Sequence, residues 1–259
     1  MRLTVLGKSP AWQDAGGACS GYLVEDDESR VLLEAGNGVF AKLRLHADYG
    51  SVDAVVVSHM HADHFLDLVP FSYGLTLSPA RRGEAGAPAG EKPKLFLPPG
   101  GVATIREVTS AWGSGELIEA AFDVSEYEPD EAIAVGSLRF GFREVPHFTR
   151  TFAVEVTSIR GGGRLTYGSD CRPGSDLVDF ARNADLLLLE ATLEVPDPEP
   201  DAGHMSAAEA GEQASLARAR RLVLTHISDE LDLDGALDDA RTEFDGPIEV
   251  AREGAVYSL

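Results

Sequence analysis

The amino-acid sequence predicts an α/β domain in which two β-sheets pack together with helices outside them. Three observations predict it. Short apolar runs rich in β-branched residues recur from one end of the chain to the other, and helix signals sit between them. The composition, 44% hydrophobic and 25% charged, is that of an ordinary globular protein. At 259 residues the chain suits one domain spanning 1–259, because a chain of this size buries about 70–75% of its unfolded surface and folds without help from a metal or a disulfide.

In chain order, the strand runs are Leu3–Leu6, Gly21–Val24, Val31–Leu33, Val52–Val57 and Leu95–Leu97, then Leu138–Val145, Phe152–Ile159, Leu165–Tyr167, Leu186–Leu189, Leu222–Thr225 and Ile248–Ala251. Alternation in Arg139-Phe140-Gly141-Phe142-Arg143 suits a sheet with one buried face, whereas the unbroken runs Ala54–Val57 and Leu186–Leu189 suit central strands. Gly161-Gly162-Gly163 between two strand runs predicts a hairpin turn. The clearest helix is Ser206–Ala219, which opens with the capping box Ser206-Ala207-Ala208-Glu209 and continues in an Ala-rich stretch. Val102–Trp112, Ser175–Asn183 and Leu233–Phe244 carry weaker helix signals. Ser78–Lys94, rich in Pro, Gly and Ala, predicts a surface loop, and so does the proline-rich acidic stretch Glu194–Gly203 that leads into His204. Both are too short to link domains, and no internal repeat of fixed period is visible.

Charge and cysteine content exclude several functions. A formal net charge of −21 repels phosphate backbones and anionic lipid, so nucleic acid and membrane are poor partners. Two cysteines, Cys19 and Cys171, make no disulfide framework and fit a reducing compartment. The N-terminus lacks a signal-peptide h-region, and no apolar run approaches the 18 or more residues of a membrane span. A soluble cytoplasmic protein is the expectation.

Histidine carries the chemistry. Three of the seven histidines fall in Ser58-His59-Met60-His61-Ala62-Asp63-His64, directly after an apolar strand. His59 and His61, two residues apart at an extended strand end, share a side; Asp63 and His64 enter the next segment and point elsewhere. Four metal-competent groups with two orientations suit two adjacent ions, and imidazole with carboxylate fits zinc, manganese or iron. A polar loop whose histidines merely cap the next element is the bland alternative, and it leaves this spacing unexplained.

His59-x-His61-x-Asp63-His64 resembles the signature of the metallo-β-lactamase superfamily. Later motifs resemble the branch containing ribonuclease Z and related phosphodiesterases: His147 after the strand Leu138–Val145, Asp170 in Tyr167-Gly168-Ser169-Asp170-Cys171, and His226 after Leu222–Thr225. Glu190-Ala191-Thr192 and His204-Met205-Ser206 resemble the paired glutamate and histidine motifs of ribonuclease Z. The resemblance runs from about Leu3 to Val250 in the family's motif order. It implies a four-layer αββα sandwich with the site at one edge of the sheets. It also implies that His59, His61 and His147 hold one divalent ion, that Asp63, His64 and His226 hold the other, and that Asp170 bridges them. Asp63, Glu190 and His204 are the catalytic set the resemblance implies. Glu190 ends an apolar strand, where an unpaired charge is costly, and is expected to orient His204 as the general acid.

Two departures from the family pattern stand out. Glu34 occupies the place of the usual Asp in an Asp-x-Gly turn, and Ser169 replaces the usual Gly beside Asp170. Cys171, next to the bridging carboxylate, is expected to be a buried filler, His46 a helix-surface residue, and Trp12 and Trp112 core or rim.

The resemblance and the charge together lead to a dinuclear, zinc-type phosphodiesterase that cleaves a small, cyclic-nucleotide-like diester with a hydroxide shared between two ions about 3.5–4 Å apart. A ribonuclease Z-type transfer-RNA endonuclease, a lactone or lactam hydrolase, and a catalytically silent metal-binding module are the alternatives. Asp170 follows His147 by only 23 positions, which leaves no room for the transfer-RNA arm that ribonuclease Z enzymes generally carry there. Dimerisation is typical of the branch, although no interface is legible in the sequence.

Overall fold

The computed structural model describes residues 1–81, 91–199 and 201–259. The first half of the chain contains β1 (Arg2–Gly7), β2 (Gly21–Asp26), β3 (Ser29–Leu33), α1 (Val39–His46), β4 (Ala54–Val56), α2 (Ala62–Phe65) and α3 (Leu68–Leu77). It continues through β5 (Lys94–Leu97), α4 (Gly101–Ser110), α5 (Leu117–Ala121) and β6 (Asp123–Glu126). The second half contains β7 (Ile133–Val135), β8 (Leu138–Val145), β9 (Thr151–Ser158), β10 (Arg164–Tyr167), α6 (Ser175–Phe180) and β11 (Leu186–Glu190). It ends with α7 (Ala207–Ala217), β12 (Leu222–Thr225), α8 (Leu233–Glu243), β13 (Ile248–Val250) and β14 (Val256–Ser258).

Two seven-stranded sheets form, ordered β14-β1-β2-β3-β4-β5-β6 and β13-β12-β11-β10-β9-β8-β7. Followed from β14 in the first sheet and from β7 in the second, each begins with three antiparallel pairings and ends with three parallel ones. The halves thus share one connectivity that leaves no fixed period in the sequence, and C-terminal β14 returns to complete the first sheet.

Three apolar clusters make the four layers. Inward residues of the two sheets, among them Val24, Val31, Phe140, Phe152 and Leu188, meet between them. The outer face of the first sheet, with Leu23, Leu32 and Val55, packs under α1, α3, α4 and α5. The outer face of the second, with Leu187, Leu189 and Leu224, packs under α6, α7 and α8. Leu186–Leu189 is apolar throughout because alternate side chains enter two different cores. The predicted four-layer αββα sandwich is the fold observed. No helix among the described residues is long and apolar enough to cross a membrane.

All the strand runs and helices named from the sequence are present, with shifts of a residue or two at most ends; α6 stops at Phe180, short of the expected Asn183. Three strands escaped the sequence: β6, β7 and β14. Each is an edge strand, short and mostly or partly exposed, so the apolar signal is weak. Helices α1, α2, α3 and α5 escaped for other reasons. Helix α2 spans four residues, and α3 carries Pro70 in its first turn, where a missing N–H costs no intrahelical bond, and Gly74, where packing outweighs propensity; both weaken the helix signal. The expected loop Ser78–Lys94 falls largely outside the described residues, as does Pro200 of the Glu194–Gly203 stretch. The Gly161–Gly163 turn does join antiparallel β9 and β10. Both cysteines are buried and free.

Helix α7 begins as expected, with Ser206 and Glu209 in a reciprocal capping box. Midway, Gly211 lies so close to α8 that a Cβ would stand 2.5 Å from the Ala240 carbonyl oxygen. Gly211→Ala would gain about 1 kcal/mol of helix propensity but would force the two helices apart, and overpacking typically costs about 1–3 kcal/mol. The expected outcome is a lower unfolding midpoint in a thermal melt; a higher one would show that α7 and α8 separate easily.

Candidate functional site

The site is built from loops that follow the C-terminal ends of strands, where open α/β sheets present their ligands. Strand β4, buried on both faces, ends at Val56, and Val57 leads to Ser58. His59 follows, and His61 keeps an extended backbone (φ −80°, ψ 146°) as the residue before α2. The first turn of α2 then carries Asp63 and His64. From the second sheet come His147 after β8, Asp170 after β10, Glu190 at the end of β11 and His226 after β12. His204 precedes α7.

The structure brings all of these side chains together. Ligand atoms of His59, His61, His147 and Asp170 lie within 4.8 Å of one another, and so do those of Asp63, His64, Asp170 and His226. Asp170 belongs to both groups. Its Oδ2 stands 3.2 Å from His64 Nε2, 3.3 Å from His226 Nε2, 3.7 Å from His59 Nε2 and 4.0 Å from His147 Nε2. Asp63 Oδ2 lies 3.1 Å from His226 Nε2 and 3.3 Å from His64 Nε2. His61 Nδ1 and His147 Nε2 are 3.1 Å apart.

The donor set fits metal ions. His59 Nε2, His64 Nε2 and Asp170 Oδ1 are buried without a hydrogen-bond partner among the described residues, although buried polar atoms are ordinarily paired. All three belong to residues of the two groups. Burial, reinforced by the neighbouring His64, lowers the pKa of His59 well below its ordinary value; burial also lowers that of His61 and takes that of His147 to about 4. These rings are therefore neutral and offer lone pairs. Burial alone would raise the carboxyls of Asp63 and Asp170, but the facing His226 and His64 outweigh it and hold both below the usual range. His64 is the converse: burial opposes its charge, yet Asp170, Asp63 and Glu34 raise its pKa well above normal. A field that strongly favours a cation at that position suits a divalent ion.

A second ring of contacts orients these groups. His147 Nδ1–H donates to the Gly203 carbonyl at 2.6 Å. Thr192 Oγ1 donates to Glu190 Oε2 at 2.7 Å and accepts from His226 Nδ1 at 2.8 Å, so Nε2 of His226 faces the carboxylates. Glu190 also receives the Cys171 amide at 2.7 Å, and both its oxygens lie 3.0 Å from His204 Nδ1. Burial works against a charged His204, but the Glu190 hydrogen bond and charge prevail and raise its pKa. Glu34 accepts from the Ser58 amide and lies 3.5 Å from His64 Nδ1. Gly36 lets the backbone pass: a Cβ there would sit 1.9 Å from the Asp63 carbonyl oxygen.

Among the described residues, six other than glycine have positive φ. Asp27, Asn183 and Arg218 lie in turns or at a helix end, whereas Glu34, Ser169 and His226 surround the site. Backbone strain of this kind concentrates at functional sites.

Thr192, Ser58 and Phe148 were not singled out from the sequence. Thr192 lies inside a quoted motif and Ser58 beside one, so adjacency was the available signal. Phe148, 66% exposed with its ring centre 5.0 Å from that of His147, follows a ligand-type histidine directly. Cys171 is the buried filler expected, and His46 is exposed at the end of α1. Trp12 and Trp112 are half-exposed, hence surface and not core.

Comparison with known proteins agrees with this arrangement. The family model described as "Beta-lactamase superfamily domain" matches residues 29–227. An uncharacterised protein of Mycobacterium leprae is 33% identical over all of this chain and 89% of its own length. A ribonuclease Z of Myxococcus xanthus is 29% identical, covering all of this chain and 98% of that protein. The crystal structure of the metallo-β-lactamase fold protein YhfI from Bacillus subtilis superposes with a TM-score of 0.86 at 25% identity, covering 100% of this chain and 99% of that one. This chain therefore belongs to the metallo-β-lactamase superfamily of metal-dependent hydrolases.

Proposed function

We propose that this protein is a dinuclear phosphodiesterase whose substrate is a small, cyclic-nucleotide-like diester. The observation that carries the reading is the Glu190–His204 pair set beside two ligand groups that share Asp170. His59, His61, His147 and Asp170 would hold one ion, and Asp63, His64, Asp170 and His226 the other; the imidazole and carboxylate donors favour zinc. Bound there, two divalent ions supply Lewis acidity toward phosphoryl oxygens, activation of water and positive charge in an otherwise acidic protein.

The remaining chemistry belongs to the chain. His204 Nδ1–H is engaged by Glu190, which leaves Nε2 on the far side of a ring that is only partly buried. That nitrogen can carry the proton an alkoxide leaving group needs. The ring lies 4.9 Å from His147 and 5.7 Å from His226, centre to centre, so the acid stands directly beside both ligand groups. Phe148, 5.6 Å from His204, adds an exposed aromatic face suited to a base or aryl group.

A transfer-RNA endonuclease is the second reading, favoured by the Myxococcus xanthus relative. That alignment runs to 302 positions against 259 residues here, so the relative has tens of residues with no counterpart in this chain. Between His147 and Asp170 the chain holds only β9, a tight turn and β10, and the net charge is −21. These features support a small substrate. Turnover by one metal-loaded preparation of cyclic AMP, cyclic GMP, bis(p-nitrophenyl) phosphate, a lactone, a β-lactam and precursor transfer RNA separates the readings. Small diesters are expected to be far better substrates, and site-specific cleavage of precursor RNA at comparable efficiency and physiological salt would refute this.

Metal analysis is expected to find two ions per fully loaded chain. Asp170→Ala should lower occupancy at both positions, and His59→Ala mainly at one; a single ion in the wild type would sink the dinuclear assignment.

His204→Ala is expected to keep both ions and retain much activity on p-nitrophenyl diesters, whose leaving group needs no proton. On diesters with a ribose leaving group it should lose about 10²–10⁴-fold. Glu190→Gln should act in the same direction more mildly. Because Glu190 raises the His204 pKa, the substitution should also move the alkaline limb of the kcat profile to lower pH. An equal loss on both substrate types would make His204 a positioning residue, and loss of metal would make it a ligand.

A further inference from the structure

His59 is fully buried, and Ser58 Oγ lies 3.0 Å from its Nδ1 while Nε2 has no hydrogen-bond partner among the described residues. Ser58 is itself held at two points. Its amide donates to Glu34 Oε1 at 3.0 Å, and its hydroxyl accepts from Ser169 Oγ at 2.7 Å. Ser169 Oγ also stands 3.4 Å from His59 Nδ1. Both serines are completely buried. Ser169 occupies the left-handed region with φ +59°, a conformation natural to glycine and unfavourable for a residue with a Cβ. A strained backbone at a buried serine is explained if the hydroxyl it delivers is needed.

We propose that Ser169 is a positioning residue for His59: its hydroxyl fixes that of Ser58, which holds the imidazole so that Nε2 faces His61, His147 and Asp170. A hydroxyl oxygen has two lone pairs, so Ser58 Oγ can accept from Ser169 and from His59 Nδ1–H together. A proton on Nδ1 leaves the Nε2 lone pair free for a metal. Through Glu34, the same serine is linked to His64 in the second ligand group, so the two departures noted in the sequence meet at one residue. The proposal rests on the ligand role of His59 given above, and its test separates the two.

Zinc affinity would be measured by competition with a chromophoric chelator for the wild type, Ser169→Gly, Ser169→Ala, Ser58→Ala and the double variant Ser58→Ala with Ser169→Gly. Each single variant is expected to bind one ion about 10–100-fold more weakly, the usual effect of removing a contact behind a ligand. The double variant should be no worse than Ser58→Ala, since both act through one chain of contacts. Thermal unfolding supplies the control. Ser169→Gly relieves the left-handed strain and Ser169→Ala does not, so the glycine variant should be the more stable while losing as much affinity. Affinity that instead follows stability, or a Ser169→Gly protein that binds zinc like the wild type, would overturn the proposal. A wild type that takes up no ion would refute the ligand reading alone. In that event, ¹⁵N spectra of the metal-free histidines still decide: His59 protonated on Nδ1 in the wild type and mixed in Ser169→Gly supports the proposal, and no change refutes it.

Discussion

A carboxylate with 1% of its surface exposed, such as Asp170, is expensive to keep ionised unless cations or strong donors face it. The rest of the site follows from that constraint. Nε2 atoms of four histidines from three different loops stand within 4.0 Å of its Oδ2, while Oδ1 has no hydrogen-bond partner among the described residues. The described side chains leave one oxygen of the group unpaired, a donor free to meet a metal ion. The rings of His59, His61 and His147 gather on one side of Asp170, and Asp63, His64 and His226 on the other.

The sheets make this convergence affordable in chain length. Each turns from antiparallel to parallel pairing partway across, and the C-terminal ends of β4 in one sheet and of β10, β11 and β12 in the other meet at a common edge. His59, Asp170 and His226 stand only one to three residues beyond a rigid, buried strand and so have little freedom, which helps to hold a cluster of this density. The two ligand-type groups and the Glu190–His204 pair are not independent parts. Thr192 binds Glu190 and the ring of His226 at once, so the carboxylate that holds His204 Nδ1 is tied to His226 as well. A similar economy appears at Ser58, which sits between Glu34 and Ser169. Glu34, Ser169 and His226, all in left-handed conformations, show where backbone strain is accepted for the sake of side-chain aim.

Much of this was legible beforehand because the signals are local. Binary patterning identified the interior strands, since a strand buried on both faces must be apolar at every position, as in Leu186–Leu189. The capping box at Ser206 announced α7 because its two hydrogen bonds join residues three apart. The edge strands β6, β7 and β14 were silent for the reverse reason: with one side open to solvent, polar residues are tolerated and the pattern fades. Helix α3 was silent because Pro70 and Gly74 weaken its signal, the first tolerated in the opening turn and the second by packing.

By itself the sequence determined the layer architecture, the order of the metal-competent residues and the proximity of His59, His61, Asp63 and His64, because all of these depend on composition and short spacing. It could also show that Glu34 and Ser169 depart from the family pattern, but not that both touch Ser58. The family resemblance assigned His147, Asp170 and His226 to one site with the first motif, but tertiary structure decided the contacts by which they close around it, that Thr192 joins Glu190 to the ring of His226, and that Phe148 stands exposed beside His204. Those contacts span tens to more than a hundred residues along the chain, and their distances are set by how two sheets pack, which no local spacing encodes.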